Sequence, residues 1–396
     1  MELYPRMFRF ETAGESHGQC LVATLTGLPA GVPISVAAVN HQLWRRQQGY
    51  GRGGRMKIEN DEARIVAGVR HSITIGSPIA ILIENRDWPN WTEALPVEDF
   101  PGSEGKKKQV TRPRPGHADL AGALKYNFHD ARYVLERASA RETTARVAAG
   151  AIARQFLGQF GVEVLSHVVA VGGVLLERAA SWDEIVAGNA REEVLLNCVD
   201  PAVEQQMKAV VDEAFRTGDT IGGVFEVVAH NVPPGLGSHV AWDSRLDGRL
   251  AQAVVSMQAV KGVEIGSAQE GSVSFGSRVQ DTIHYDGEKR RFVRGANRAG
   301  GLEGGMTNGQ DVVVRGFLKP ISTLRRPLES VDLVTREPSL AAYERSDVCV
   351  VPAAGVIAES MVALVLAQAF LEKFGGDSLE ETRRNYAGYC VQVEQF

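Results

Sequence analysis

Five arginine clusters stand out as residues able to do chemistry. They are Arg45-Arg46, Arg52 with Arg55, the run Arg112-Pro113-Arg114-Pro115-Gly116-His117, Arg137-Ala-Ser-Ala-Arg141, and Arg345-Ser-Asp347. Each sits beside glycine or other small residues. A planar guanidinium grips a carboxylate or phosphate through two parallel hydrogen bonds, so several held on stiff, small-residue scaffolds suit a small molecule carrying several negative charges. Solvated helix faces and surface ion pairs explain any one of these arginines as well, but they explain all five clusters together less well. His17 and His117 lie in glycine-flanked turns, and imidazole titrates near neutral pH, so both are candidate proton donors or acceptors. Asp347 is either a carboxylate held by arginine or a proton acceptor, and spacing does not choose between them. His71, His129, His167 and His230 lack such surroundings and read as structural.

Two strings suggest other chemistries. Gly14-Glu15-Ser16-His17-Gly18 fits G-x-S-x-G, the nucleophile elbow of serine hydrolases, yet the elbow joins a buried strand to a helix, and here Gln19 to Thr26 reads as strand. Gly49-x-Gly51-x-x-Gly54 matches a dinucleotide fingerprint, but it follows a helix and carries Arg52 where backbone must approach pyrophosphate. No P-loop, HExxH or paired-cysteine metal site occurs, so the sequence predicts no metal centre.

The elements that position these residues come from patterning. Cys20 to Thr26 predicts a strand, and Ser35 caps a helix carrying Val36, Val39 and Leu43 that ends at Gly49. Strands are predicted at Ala63 to Val69 and Pro78 to Ile83, then a polar loop to about Gly116 containing Lys106-Lys107-Lys108. A long helical stretch runs from Asp119 to Phe160, broken near Phe128 to Asp130 and stopped by Gly161. Beyond it come strands at Val162 to Val174, Gly223 to Ala229 and Asp311 to Leu318. Helices are expected at Pro201 to Arg216, Ser244 to Met257 and Ala358 to Phe374, the last closed by Gly375-Gly376. The irregular alternation predicts an α+β fold with antiparallel sheet, and the absence of any linker or repeat predicts one unit over residues 1–396.

Composition sets outer limits. The chain has 396 residues, 44% of them hydrophobic and 23% charged, which suits a globular protein with a large core. Its net charge of -5 gives no overall positive field to hold nucleic acid or an anionic membrane. The longest unbroken apolar runs, such as Met361 to Ala367, fall short of the roughly 18 residues of a membrane span. No secretory leader is recognisable, and the four cysteines, widely spaced, read as reduced thiols in a cytoplasmic protein. Glycine, 42 residues, is over-represented and clustered, as expected where backbone approaches a ligand.

Taken together the motifs resemble one family. GESHG at 14 to 18, RRQQGYGRGGRM at 45 to 56, RPRPGHAD at 112 to 119 and RASARETTARVAAG at 137 to 150 are similar to chorismate synthases. So are AVKGVEIG at 259 to 266, GGLEGGMTNG at 300 to 309, KPISTL at 319 to 324 and RSDVCVVPAAGVIAE at 345 to 359, in the family's order. The resemblance implies a lyase that converts 5-enolpyruvylshikimate 3-phosphate to chorismate and phosphate by a 1,4-anti elimination, the last step of the shikimate pathway to aromatic amino acids. It implies dependence on reduced FMN without net redox change, a β-α-β sandwich with central helices between antiparallel sheets, and a homotetramer. Flavin reduction by a separate reductase is expected, with NADPH as an indirect reductant, and a flavin-binding protein without turnover is the non-catalytic alternative.

By the same resemblance, Ser16, Arg46, Arg52, Arg114, Arg141 and Arg345 surround substrate, Arg46 and Arg52 being alternatively NADPH positions. Flavin contacts fall on Arg137, Ala138, Ser139, Gln258, Ala259, Gly304, Lys319, Pro320, Ile321, Ser322, Thr323 and Arg345, with the side-chain role of Gln258 open. The implied catalytic residues are His17 at the departing phosphate, His117 near flavin N1 and Asp347 as proton acceptor near flavin N5. Tyr50 to Gly54 and the loop from Arg86 to Gly116 are candidate lids.

Overall fold

A computed structural model describes residues 8–53, 60–99, 108–193, 195–288, 290–344 and 346–396. Two antiparallel sheets carry the fold. The first has four strands in the order Arg9–Ala13, Cys20–Thr26, Ile79–Glu84 and Ala63–Ala67. Its inner face follows the alternation expected of a half-buried strand: Leu21, Ala23 and Leu25 are buried while their neighbours are only partly so. The second has five strands in the order Val260–Ile265, Val312–Leu318, Gly223–His230, Glu163–Val171 and Val174–Leu175.

Helix Thr143–Gly158 lies on strand Cys20–Thr26 and on helix Val351–Phe374, which in turn packs on strands Glu163–Val171 and Gly223–His230. The two helices approach closely because Gly150 faces Ser360; a Cβ at Gly150 would lie 2.3 Å from the Ser360 Cβ. Helix Val36–Gln47 packs against both, its start capped as the sequence predicts, with Ser35 Oγ accepting the Ala38 N–H at 3.2 Å.

Helix Val351–Phe374 is apolar nearly all round and buried. It is the one described helix long and apolar enough to cross a membrane, with 83% of its most apolar window inside the protein. The unbroken apolar runs of the sequence do fall short of a membrane span, but they undercount a helix whose small polar residues, such as Ser360, fit a tight core. Pro352 also belongs to it, since proline in a first turn forfeits no hydrogen bond, so the helix begins earlier than Ala358.

In its N-terminal half Glu359 is fully buried and holds Arg45 at 2.6 and 2.8 Å and Arg154 at 2.6 Å, and it accepts from the Ser166 N–H and Oγ. Burial alone would push this carboxyl up, but the two guanidiniums outweigh it and hold it below the usual range.

The predicted α+β class is what the molecule shows, and most elements fall where patterning puts them. The stretch from Asp119 to Phe160 is an exception. It forms Asp119–Tyr126, Arg132–Ala138, the single 3-10 turn Ala140–Glu142 and Thr143–Gly158. The expected first break is set by Asn127 in the left-handed region, φ 57°. The unforeseen second break is Ser139, extended at φ -63° and ψ 141°, whose Oγ accepts the Arg141 N–H. Helix Leu379–Gln395 was also not anticipated, because its apolar residues are too few to mark a face.

Candidate active site

The ends of many of these elements meet at one cavity of about 940 Å³. It lies at the N-terminus of helix Val351–Phe374, where Val350, Ala353, Ala354 and Ile357 form an apolar wall. Among the described residues the lining holds seven Arg or Lys side chains (Arg46, Arg52, Lys108, Arg114, Arg132, Arg141, Lys319) against three acids (Asp87, Glu344, Asp347), together with His17 and His117. Behind the lining Asp61, Asp119 and Glu136 hold Arg141, Arg114 and Arg132, so most of this charge is paired. The guanidinium and ammonium groups that converge on the cavity still suit an anionic ligand.

Each cation is aimed by neighbours. Arg46, on the last turn of helix Val36–Gln47, donates to Thr143 Oγ1 at 3.1 Å and to the Ala140 carbonyl at 2.9 Å, while its Nη1 lies 3.6 Å from Asp61. Burial lowers its pKa to about 10, Asp61 opposing that shift and Arg141 and Arg52 adding to it. Arg141 is bound to Asp61 and donates to Asn85 Oδ1 at 2.9 Å. Arg114 forks onto Asp119 at 2.8 and 3.0 Å and donates to Thr323 Oγ1 at 2.9 Å. Asp119 also holds His117 Nδ1 at 2.5 Å. Its carboxyl would be raised by burial, but the bonds from His117 and Arg114 prevail and hold it far below the usual range.

His17 sits in the loop between strands Arg9–Ala13 and Cys20–Thr26, with Nδ1 2.9 Å from Glu136 Oε1 and its backbone N–H donating to Glu136 Oε2 at 2.7 Å. Both strands are antiparallel partners, so Ser16 is not on a strand-to-helix elbow. Asp347 accepts from Arg52 Nη1 at 3.0 Å and from the Gly53 N–H at 2.5 Å. Both of its oxygens are thus engaged by the segment that follows Gly51.

A sequence model described as chorismate synthase matches residues 8–371. The chain is 77% identical over 390 residues to the chorismate synthase of Solibacter usitatus, covering 98% of this chain and 100% of that one. It is 54% identical over 396 residues to that of Geobacter sulfurreducens, covering 98% and 100%. A crystal structure of chorismate synthase, 41% identical, aligns with a TM-score of 0.79 over 99% of both chains.

The chain belongs to the chorismate synthase family. It is accordingly a lyase, and chorismate synthases in general require a flavin. The cavity suits one. Its volume is near the upper end for ligand pockets, leaving room for cofactor beside substrate. Among the described residues Gln258 Oε1 is buried there without a hydrogen-bond partner, and Ala259 beside it holds the left-handed conformation at φ 67°, strained for a residue with a Cβ.

Of the residues matched to chorismate synthase motifs, His17, His117, Asp347, Arg46, Arg52, Arg114, Arg141, Ala138, Ser139, Gln258, Ala259 and Lys319 through Thr323 line this one cavity. Lys319 Nζ donates to the Gly116 carbonyl at 2.5 Å, which ties the two loops together. Gln258 Nε2 reaches Glu142 at 3.3 Å. Three residues do not line it. Arg137 leaves its helix on the other side and donates to the Thr12 and Gly14 carbonyls at 2.7 and 3.0 Å. Gly304 sits in the tight turn between the short strands Leu302–Glu303 and Met306–Thr307. Ser16 is buried behind His17, with Oγ 3.1 Å from Ser139 Oγ. Arg345, Gly54 and Arg55 lie outside the described residues.

Arg45, grouped with Arg46 in the sequence, faces the core. Trp91, Arg132, Glu136 and Asp61 are not marked as site residues by the sequence, and Lys108 only as part of a lysine run in a loop. The one available signal was two tryptophans in an otherwise polar loop, Trp88-Pro-Asn-Trp91.

Proposed function

We propose that this protein converts 5-enolpyruvylshikimate 3-phosphate to chorismate and phosphate by a 1,4-anti elimination, with reduced FMN bound beside the substrate and no net redox change. This would be the last step of the shikimate pathway. The observation that carries the proposal is the convergence of seven cations, two histidines and the Asp347 carboxylate on a single cavity. Two carboxylates and a phosphate on the substrate, and a further phosphate on the flavin, are groups that such cations bind.

When bound, reduced FMN supplies transient electron donation that weakens the allylic C–O bond and a nitrogen to receive the hydrogen from C6. Arg46, Arg52, Arg114 and Arg141 bind and orient the substrate anions. Because the four share one cavity, substrate is favoured over NADPH as the ligand of Arg46 and Arg52. His17, engaged by Glu136 at Nδ1, donates from Nε2 to the departing phosphate. His117 is assigned to the cofactor ring and Asp347 to taking up the proton released. Lys319, Ser322 and Thr323 bind the cofactor phosphate, and the apolar helix end keeps water out.

The same reading takes residues 1–396 as one unit with central helices sandwiched between the sheets, assembled as a homotetramer in the cytoplasm and served by a separate flavin reductase. Anaerobic assay at the ultraviolet absorption of chorismate tests it. Product should form with reduced FMN and not with oxidised FMN, and no product with reduced FMN would reject the proposal. His17→Ala and Asp347→Asn should each lower kcat about a hundredfold or more with KM nearly kept.

A further inference from the structure

His17 leans on a tryptophan, Trp91, that has no assigned part in the proposed reaction. The Trp91 indole is almost wholly buried, follows the turn Trp88–Asn90, and donates from Nε1 to Asp87 Oδ2 at 2.9 Å. The His17 ring stacks on it, with centroids 3.9 Å apart and planes 27° from parallel. Lys108 Nζ lies 3.6 Å from the indole centroid. The Arg132 guanidinium is 5.2 Å from the same ring, and its Nη1 is 3.7 Å from the Glu136 carboxylate that grips His17.

We infer that Trp91 is a positioning residue for His17, fixing the plane of the imidazole so that Nε2 stays turned to the cavity. The inference rests on the assignment of His17 as the group meeting the departing phosphate. A hydrogen bond at Nδ1 sets which nitrogen is left over, and Nε2 has no hydrogen bond among the described residues. It does not stop the ring from swinging out of plane, because hydrogen bonds to carboxylate oxygens tolerate a broad range of directions. The indole supplies that missing restraint, and it is itself held by Asp87 and by the Lys108 ammonium against its ring. Small displacements of an acid from its line of transfer cost rate rather than affinity.

The test combines kinetics with the imidazole resonances of protein labelled with 13C-histidine, the His17 signal being assigned as the one lost in His17→Ala. Trp91→Leu should lower kcat about tenfold or more, with KM for substrate nearly unchanged. Trp91→Phe, which keeps a flat ring and most of the packing, should recover most of that loss. The His17 ring signals, shifted upfield by the indole, should move downfield in Trp91→Leu and much less in Trp91→Phe. In a His17→Ala background Trp91→Leu should add little. A raised KM with unchanged kcat, unmoved His17 signals, or an undiminished loss in the His17→Ala background would each overturn the positioning role. Normal turnover in His17→Ala alone would instead reject the His17 assignment on which it rests.

Discussion

Arg45 and Arg46 leave one helical turn about 100° apart and meet opposite electrostatic conditions. Arg45 enters the core, where Glu359 takes it in a two-pronged bond and Arg154 shares the same carboxylate. Burial tends to lower its pKa, yet Glu359 more than compensates and the pKa is raised. Arg46 enters the cavity wall, where its nearest acid, Asp61, is already bound by Arg141, and its pKa falls to about 10. In the core one carboxylate serves both Arg45 and Arg154, and burial lowers the pKa of Arg154. In the cavity Arg46 Nη1 has no hydrogen-bond partner among the described residues, a place that an anionic ligand can fill.

The contrast can be broken from the core side first. Glu359→Leu would leave two buried guanidiniums without their carboxylate and should cost about 3–5 kcal/mol of stability, read from the urea unfolding midpoint. Arg46→Met should do the reverse, keeping stability within about 1 kcal/mol or improving it while raising KM for substrate tenfold or more. If Arg46→Met unfolds the protein as readily as Glu359→Leu, the contrast between Arg45 and Arg46 fails.

Acid sharpens the same comparison. Glu359 and Asp119 have folded-state pKa values below their ordinary 4.5 and 3.8. Their stabilisation is therefore complete above those ordinary values and is lost as pH falls through the depressed ones. The urea midpoint should stay level from pH 7 to about 5 and decline below about 4.5, more gently in Glu359→Gln. The smallest effect belongs to Arg137, partly exposed and tethered to backbone outside the cavity. Arg137→Ala should leave turnover within about threefold and cost under about 1 kcal/mol.

Arg137 and Arg141 also show how far the chain could be read. Four residues apart, they would share one face of a continuous helix. Ser139 is extended instead, so one arginine goes to Thr12 and Gly14 and the other to Asp61 and the cavity. Serine within an alanine-rich run carries no obvious break signal, because its capping role appears only when its hydroxyl finds the Arg141 N–H. Trp91 was hidden for a related reason: a tryptophan in a polar loop looks like surface until His17 and Lys108 close over it.

What neighbouring residues impose was decided in the chain itself: the Ser35 cap, the stop at Gly161, the alternation of Cys20 to Thr26, and the concentration of arginine beside small residues. These follow from interactions spanning a few positions. Which arginines are neutralised and which await a ligand was settled only by the tertiary structure. Glu359 lies 314 residues from Arg45 and Asp61 lies 80 from Arg141, and a counter-ion acts over ångströms in space regardless of distance along the chain.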